Sequence, residues 1–359
     1  MSDLPEPDAA PGAPHPRHAR LVVGHDAAER AFLDAWNAGR LHHGWLIVGP
    51  RGVGKATLAW RIARFLLCDP SRPADTLDPP PDHPALPRIE ALSEPSLMLI
   101  RRTADPKVAK PTRVRTQITA DVTRALNPFF GMSSGSGGRR VVIVDSADEM
   151  NPTAANAILK LLEEPPAGAV ILLVAHQPAR LLPTIRSRCR VLRLSPLGPE
   201  DLERAALAAG LAAPSPALAV LADGSVGAAL ALGDGGAETY AALVSLFARA
   251  PMDRGAARRL ADAHAGVRNA ERLATTLALL ERLLHRAARA GVLGPPPEAV
   301  PGEAATLARM APHDAAARRW AAVAQEVEAR AAHGRAVNLD GAAILWDALA
   351  RVDAAARAV

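Results

Sequence analysis

Apolar residues in the first half of the chain follow two alternating patterns. Four short, continuous apolar runs are typical of strands buried on both faces, at 45–48, 97–100, 141–144 and 170–175. Between and before them, apolar residues recur at helical spacing, over 27–37, 57–67, 120–126 and 153–163. Strands that alternate with helices predict a parallel sheet with helices on both faces, so we expect an α/β domain over residues 19–195.

After Pro196 the strand pattern ends and only helical periodicity remains. Ala, Leu and Arg recur at helical spacing over 201–211, 216–222 and 227–232, which predicts a small helical domain over residues 196–238. The same pattern continues from about residue 239, interrupted by Gly-Pro-Pro-Pro at 294–297. We therefore expect a second, all-α domain over residues 239–359.

Three segments have compositions that do not suit a protein core. Residues 1–18 are rich in Pro, Ala and Asp and are predicted to be a disordered tail. The stretch 69–95 holds many prolines, and we expect it to be a surface insertion with no core helix or central strand. Residues 131–138 are mostly Gly and Ser and predict a flexible loop.

Composition narrows the class of protein. No apolar run approaches the roughly 20 residues that span a bilayer, and the N-terminus lacks the basic and then apolar stretch of a secretion signal. The two cysteines, Cys68 and Cys189, are too few for a disulfide framework. We expect a cytoplasmic protein of two or three domains in its 359 residues.

Charge leaves the kind of partner open. The net charge of +5 suits nucleic acid or acidic partners, but only four of the 42 basic residues are lysine. Such an excess of arginine over lysine is also what a GC-rich genome produces. Aromatic residues make up 3% of the chain, which disfavours the stacking surfaces that bind single strands.

A phosphate-binding loop follows the first predicted strand. Residues 49–56 read Gly-Pro-Arg-Gly-Val-Gly-Lys-Ala, which matches the pattern G-x-x-x-x-G-K-[S/T] except at Ala56. In that pattern the hydroxyl binds magnesium, and Ala56 has none. Thr57 does not replace it, because one further residue turns the side chain by roughly 100° around the helix. The residues predicted to form this vestigial nucleotide site are Gly49, Gly52, Gly54, Lys55, Thr57 and Asp145.

A second defect lies at the end of the strand 141–144. Asp145 stands where P-loop ATPases place the acid that holds magnesium through its shell of ligands. ATPases of this architecture use an adjacent glutamate to orient or deprotonate the attacking water, and here that residue is Ser146. A serine without an activating base does not accept a proton at neutral pH. Asp148 and Glu149 lie near in sequence, but we expect the turn to direct them elsewhere.

Two further motifs give the chain a family resemblance. Residues 156–166 read Asn-Ala-Ile-Leu-Lys-Leu-Leu-Glu-Glu-Pro-Pro, and residues 184–189 read Thr-Ile-Arg-Ser-Arg-Cys. With Gly-His-Asp at 24–26 and Arg-Leu-His-His at 40–43, this chain closely resembles the clamp-loader branch of the AAA+ ATPases. The resemblance is strong to about residue 195 and weaker beyond, where 224–230 and Asn-Leu-Asp at 338–340 are similar to the lid and collar domains of that branch.

The resemblance implies a role for one arginine and the loss of another. In this family the arginine of Ser-Arg-Cys reaches across a subunit boundary to the γ-phosphate of ATP bound by the neighbour, and Arg188 matches it. Active relatives also carry a lid arginine that contacts the γ-phosphate bound by the same chain, and Gly227 stands at that position. Some relatives hold zinc through four cysteines after the phosphate-loop helix, where this chain has only Cys68, so no zinc is expected.

The resemblance therefore predicts a clamp-loader subunit of DNA polymerase III that does not hydrolyse ATP or polymerise nucleotides. It implies a hetero-oligomeric ring with the tau or gamma motor subunit and the delta subunit, with weaker contacts to the sliding clamp and primer-template DNA and none to a membrane. No cofactor is required, although Lys55 leaves weak ATP or ADP binding open. Two alternatives remain at this stage, a working AAA+ motor such as gamma or tau, and a nucleotide-sensing scaffold outside replication.

Overall fold

A computed structural model of the protein describes residues 6–9, 13–105, 114–131, 138–233 and 235–358. Most of the predicted Gly/Ser loop, residues 132–137, lies outside the described residues. The chain forms two compact units. The first comprises residues up to Ala213 together with Gly224–Leu230, and the second comprises Pro214–Asp223 and Ala231–Val359. The domain limits at 195 and 238 remain predictions.

The first unit is built on five parallel strands. They are β1 (Gly44–Val48), β2 (Leu97–Arg101), β3 (Arg140–Asp145), β4 (Ala169–Ala175) and β5 (Arg190–Arg193), in the order β2-β3-β4-β1-β5. The predicted parallel α/β sheet is confirmed. Strand β5 is short and lies at the edge of the sheet, so that Leu192 is its one buried residue. This strand therefore lacks the apolar run that marks the other four strands.

Sixteen α-helices lie in the described residues. They are α1 (Asp26–Asn37), α2 (Lys55–Leu67), α3 (Ala85–Glu90), α4 (Ala120–Thr123), α5 (Leu126–Gly131), α6 (Pro152–Glu163), α7 (Pro183–Ser187), α8 (Pro199–Ala208), α9 (Pro216–Ala222), α10 (Val226–Leu232), α11 (Gly236–Leu246), α12 (Arg254–Asp262), α13 (Ala270–Leu293), α14 (Glu303–Met310), α15 (Asp314–Ala336) and α16 (Gly341–Ala356). Short 3-10 turns occupy Pro16–His18, Ala147–Glu149, Pro178–Arg180 and Val267–Asn269.

Alternate residues of each strand fill two cores. In β1, Trp45 and Ile47 face the core formed with α1 and α2, whereas Leu46 and Val48 face the core formed with α6. All five residues of β1 are buried, as expected for a strand covered by helices on both faces. Strand β1 lies between β4 and β5 and carries the phosphate loop at its end, so the loop starts from a fully buried strand.

The structure differs from the sequence prediction in three segments of the first unit. The expected helix over 120–126 is replaced by the two short helices α4 and α5. The proline-rich insertion contains α3, whose Leu86 and Ile89 are buried in the core, so that it is not wholly a surface segment. Pro87 is tolerated because it lies in the first turn of α3, where a helix has no partner for a backbone N–H.

The third difference is in the N-terminal tail. Residues 13–18, which were expected to be disordered, are ordered and include the turn Pro16–His18. His15 is buried, and its ring lies edge-on to Trp60 of α2 at 5.8 Å between centroids. The Arg64 guanidinium donates to the carbonyl of Arg17 at 2.8 Å and so ties the tail to the same helix.

The second unit is helical. Helices α9 and α11–α16 share one core, in which α13 packs against α15 and α15 against α16. Tyr240, Trp320 and Leu345 are fully buried in it. In the part of the chain that the structure describes, no helix combines the length and the apolar character that crossing a membrane requires.

Candidate functional site

The phosphate loop connects the end of β1 to the start of α2. Gly49 has φ +154°, and a β-carbon there would lie 2.3 Å from the carbonyl oxygen of Leu194. Gly54 has φ +102° and precedes the first residue of α2. Only glycine suits these two positions, because the first has no room for a side chain and both have backbone angles that L-residues rarely adopt.

The ammonium of Lys55 is bound to the loop that carries it. Lys55 is buried, and its Nζ donates to the carbonyl of Gly49 at 2.8 Å and to that of Pro50. Burial lowers the pKa of Lys55 to about 8, although the negative charges of Asp145 and Asp148 oppose this shift. The lysine therefore closes the loop upon its own carbonyls.

A distant segment of the same unit covers the loop from outside. The Ser225 hydroxyl donates to the carbonyl of Arg51 at 2.9 Å, and the Gly227 amide donates to the carbonyl of Gly52 at 3.2 Å. A β-carbon on Gly227 would lie 2.9 Å from the α-carbon of Gly52. An arginine at position 227, as in the active relatives that the sequence resembles, has no space at this contact.

Asp145 is buried at the end of β3. Burial, with a further contribution from the negative charge of Asp8, raises the pKa of Asp145 to about 7. The hydrogen bond from the Ser146 hydroxyl, 3.0 Å from Oδ1, and the charge of Lys55 act in the opposite direction. At neutral pH this carboxyl is thus partly protonated, which makes it a poorer magnesium ligand than an ordinary aspartate.

His176 was not identified from the sequence. It follows the last residue of β4, and its Nε2 lies 2.9 Å from the Ser146 hydroxyl. Burial lowers the pKa of His176 to about 4, so the ring is neutral at pH 7. A single histidine after an apolar strand has no local signature, and only the β3–β4 pairing brings it beside Ser146.

Asp148 and Glu149 both make contacts with other groups, and the sequence predicts that neither replaces the missing glutamate. The Asp148 carboxylate accepts hydrogen bonds from the backbone N–H groups of His176 at 2.9 Å and Gln177 at 3.0 Å. Glu149 forms ion pairs with Arg51 and Arg102, each at 2.9 Å. Neither acid is free to replace the glutamate that active ATPases have at the position of Ser146.

The side chains around the loop do not fit a magnesium–nucleotide complex. Ala56 has no side-chain oxygen ligand, and the side-chain hydroxyl of the half-buried Thr57 makes no hydrogen bond among the described residues. The ammonium of Lys55 already donates hydrogen bonds to the carbonyls of Gly49 and Pro50. The structure therefore brings together the loop glycines, Lys55 and Asp145 of the predicted vestigial site. The chain's own groups, and not a nucleotide, satisfy the ammonium of Lys55 there.

Arg188 lies on the surface of the same unit. It is the C-cap of α7, and its side chain is 38% exposed. One guanidinium nitrogen, Nη1, donates to the carbonyl of Thr184 at 3.1 Å, and the other, Nη2, lies 3.0 Å from Oε1 of Glu163. The guanidinium is thus held from two sides and keeps further N–H donors for another group.

Arg188 and the phosphate loop lie at opposite ends of two adjacent parallel strands. Strand β5 runs parallel to β1, with Trp45 beside Arg190 and Val48 beside Arg193. Arg188 precedes β5, whereas the loop follows β1. At about 3.3 Å per residue, the strand separates them by on the order of 15 Å, which is beyond the reach of an arginine side chain.

Comparison with known proteins gives a family match that lies within the first unit. Residues 24–198 match the family described as "DNA polymerase III, delta subunit". DNA polymerase III subunit delta' of Pseudomonas aeruginosa is 40% identical over 147 residues, which cover 41% of each chain. The Escherichia coli subunit of the same name is 33% identical over 207 residues, 57% of this chain and 58% of that one.

The chain thus spans about half the length of the curated relatives that it matches. Among solved structures, a DNA polymerase III, gamma subunit-related protein from Thermotoga maritima aligns with a TM-score of 0.38 and 19% identity, covering 91% of this chain and 100% of that one. The sequence matches confirm the resemblance to clamp-loader subunits and extend it to the subunit named delta'.

Proposed function

We propose that this chain serves as the delta-prime-like subunit of a clamp loader in DNA replication, because residues 24–198 match the family described as "DNA polymerase III, delta subunit" and a subunit named delta' is 40% identical over 147 residues. In this role the chain does not hydrolyse ATP. It donates Arg188 to the ATP bound by an adjacent motor subunit while the sliding clamp is loaded onto primed DNA.

The position of Arg188 is the observation that carries the proposal. The residue is partly exposed and precedes β5, at the opposite end of the strands from the chain's own phosphate loop. A phosphate that it contacts must therefore belong to another molecule. A guanidinium supplies fixed donors to the charge that develops on a transferred phosphoryl group, and such an arginine acting in trans accelerates hydrolysis by about 10³ to 10⁵.

The closed phosphate loop supports the lack of ATPase activity. Ala56 removes the metal ligand, Ser146 removes the water-activating acid, and Gly227 blocks the lid-arginine position by contact with Gly52. Loss of both a metal ligand and a general base removes several kcal/mol of transition-state stabilisation. Residual ATP or ADP binding would require Lys55 to leave the carbonyls of the loop.

The environment of Cys68 is consistent with the expectation that this subunit holds no zinc. Burial raises the pKa of the Cys68 thiol to about 11, which disfavours the thiolate that zinc binds.

The partners that this proposal implies are the tau or gamma motor subunit, which would provide the ATP for Arg188, and the delta subunit. Weaker contacts with the sliding clamp and primer-template DNA complete the set. The helical second unit would provide the surface for ring assembly, as the collar does in the family that the sequence resembles.

The proposal is tested in the assembled complex with Arg188→Ala. Arg186→Ala is the matched control, because Arg186 is an exposed arginine on the same short helix, α7. After the ring has been confirmed by size-exclusion chromatography, DNA-stimulated ATP hydrolysis and clamp loading are measured. We expect Arg188→Ala to slow both, Arg188→Lys to restore activity only in part, and Arg186→Ala to behave as wild type. Unchanged rates for Arg188→Ala in a confirmed ring would overturn the proposal.

A further inference from the structure

We propose that Glu163 positions the guanidinium of Arg188 for its action on the neighbouring subunit. The inference rests on the proposed function and assigns a role to a residue 25 positions earlier in the chain. Glu163 does not itself meet the phosphate. It acts through Arg188, by fixing the direction in which the remaining donors point.

The contacts of Arg188 define the orientation of its planar group. Nη2 lies 3.0 Å from Oε1 of Glu163, and Nη1 donates to the carbonyl of Thr184 at 3.1 Å. Two contacts on different nitrogens fix a planar fork, whereas one contact leaves it free to rotate. A side chain that is already ordered loses less conformational entropy when it meets its target.

Both partners of the ion pair are attached to the core by their neighbours. Leu162, beside Glu163, is buried, and its carbonyl lies 3.0 Å from Nε2 of His43. Ile185 of α7 is fully buried in the same core as Leu162. The carboxylate and the guanidinium therefore extend from two fixed supports, α6 and α7, which gives the surface pair a defined geometry.

Helix stability does not explain a carboxylate at this position. Glu163 is the last residue of α6, and negative charge is unfavourable near the C-terminus of a helix because the macrodipole is negative there. Glu164 follows it as the C-cap, is exposed, and forms no ion pair among the described residues. The two adjacent glutamates thus share a helix end and differ in their contact with Arg188.

The expected effect is modest because the pair is partly exposed. The side chains of Arg188 and Glu163 are 38% and 43% exposed. Pairs of this exposure are screened by water, so removal of the carboxylate charge is expected to change a rate by about two- to fivefold. Loss of Arg188 itself must have a larger effect.

The test compares Glu163→Gln with the matched control Glu164→Gln in the assembled complex. The quantity measured is the Arg188-dependent rate, which is the DNA-stimulated ATP hydrolysis lost on Arg188→Ala. We expect Glu163→Gln to lower the kcat of that component by about two- to fivefold with KM unchanged, while Glu164→Gln has no effect. In an Arg188→Ala background, Glu163→Gln should cause no further loss.

The outcomes separate this inference from the proposed function. If Arg188→Ala slows hydrolysis but Glu163→Gln leaves the Arg188-dependent rate unchanged or raises it, the positioning role is wrong and the function stands. A loss that persists in the Arg188→Ala background, or a ring that no longer assembles, would show a structural role for Glu163 and overturn the inference. If Arg188→Ala has no effect, both fail.

Discussion

Gly227 and Gly52 are in direct backbone contact, although 175 positions separate them in the sequence. The Gly227 amide donates to the Gly52 carbonyl at 3.2 Å, and a β-carbon on Gly52 would lie 2.9 Å from the α-carbon of Gly227. The segment that begins at Gly224 thus lies on the phosphate loop as part of the first unit. This contact covers the loop from outside and leaves no space for an arginine side chain at position 227.

This contact predicts that Gly227→Ala destabilises the protein. The new methyl group would lie 2.9 Å from the α-carbon of Gly52, so the backbone must shift, and overpacking of this kind costs about 1–3 kcal/mol. Gly198→Ala is the control, since no atom lies within 4 Å of its added carbon. Urea denaturation measures the free energy of unfolding of each variant. Equal stability of the two variants would contradict the close contact.

The bonds of Lys55 predict that the isolated chain has no lysine-dependent ATPase activity. Its ammonium is held by the carbonyls of Gly49 and Pro50, and Ala56 provides no metal ligand. We expect purified protein and its Lys55→Ala variant to show the same background release of phosphate. Turnover comparable with that of an active AAA+ subunit, and abolished by Lys55→Ala, would contradict the proposed loss of activity.

The sequence predicts those parts of the fold that depend on local patterns. Strand β3 and helix α2 were located within two residues of their ends, because a continuous apolar run and a phosphate-loop motif are both local signals. Strand β5 was missed, since three of its four residues are exposed at the sheet edge. The Pro-rich insertion was underestimated because Leu86 and Ile89 become apolar core residues only when α3 folds onto the sheet.

The same distinction applies to the candidate site. The loop glycines, Lys55, Asp145 and Arg188 follow from motifs. The contact of Ser225 with Arg51 and that of His176 with Ser146 join segments 174 and 30 residues apart, and no local pattern reports them. The sequence leaves weak nucleotide binding by Lys55 open, because the neighbours of Lys55 along the chain do not show where its ammonium points.

In the second unit, a buried carboxylate offers a test of stability that is independent of the site. Glu303 is fully buried and accepts hydrogen bonds from the Tyr240 hydroxyl at 2.6 Å and the Arg286 Nε at 2.5 Å. Glu303→Ala would leave a buried hydroxyl and a largely buried guanidinium without this partner, which typically costs about 3–5 kcal/mol.

Glu328→Gln is the control for Glu303→Ala, because Glu328 is exposed and forms no ion pair among the described residues. Its free energy of unfolding in urea should stay within about 0.5 kcal/mol of wild type. A loss below about 1 kcal/mol for Glu303→Ala would mean that water or other groups satisfy Tyr240 and Arg286, contrary to the geometry.

The environment of Asp145 predicts how stability depends on pH. Burial raises the pKa of Asp145 from 3.8 to about 7, so between these values the folded chain binds more protons than the unfolded chain. The free energy of unfolding contributed by Asp145 is therefore fully present below pH 4 and is lost as the pH rises through 7. His176, with a pKa lowered to about 4, acts in the opposite direction between pH 4 and 6.5.

The contribution of Asp145 is isolated by subtracting the pH profile of the Asp145→Asn variant, whose side chain cannot ionise. Relative to that variant, wild type should lose roughly 2–4 kcal/mol between pH 4 and pH 8 in urea denaturation. Parallel pH profiles of the two proteins would mean that Asp145 is ionised throughout, as in an open magnesium site.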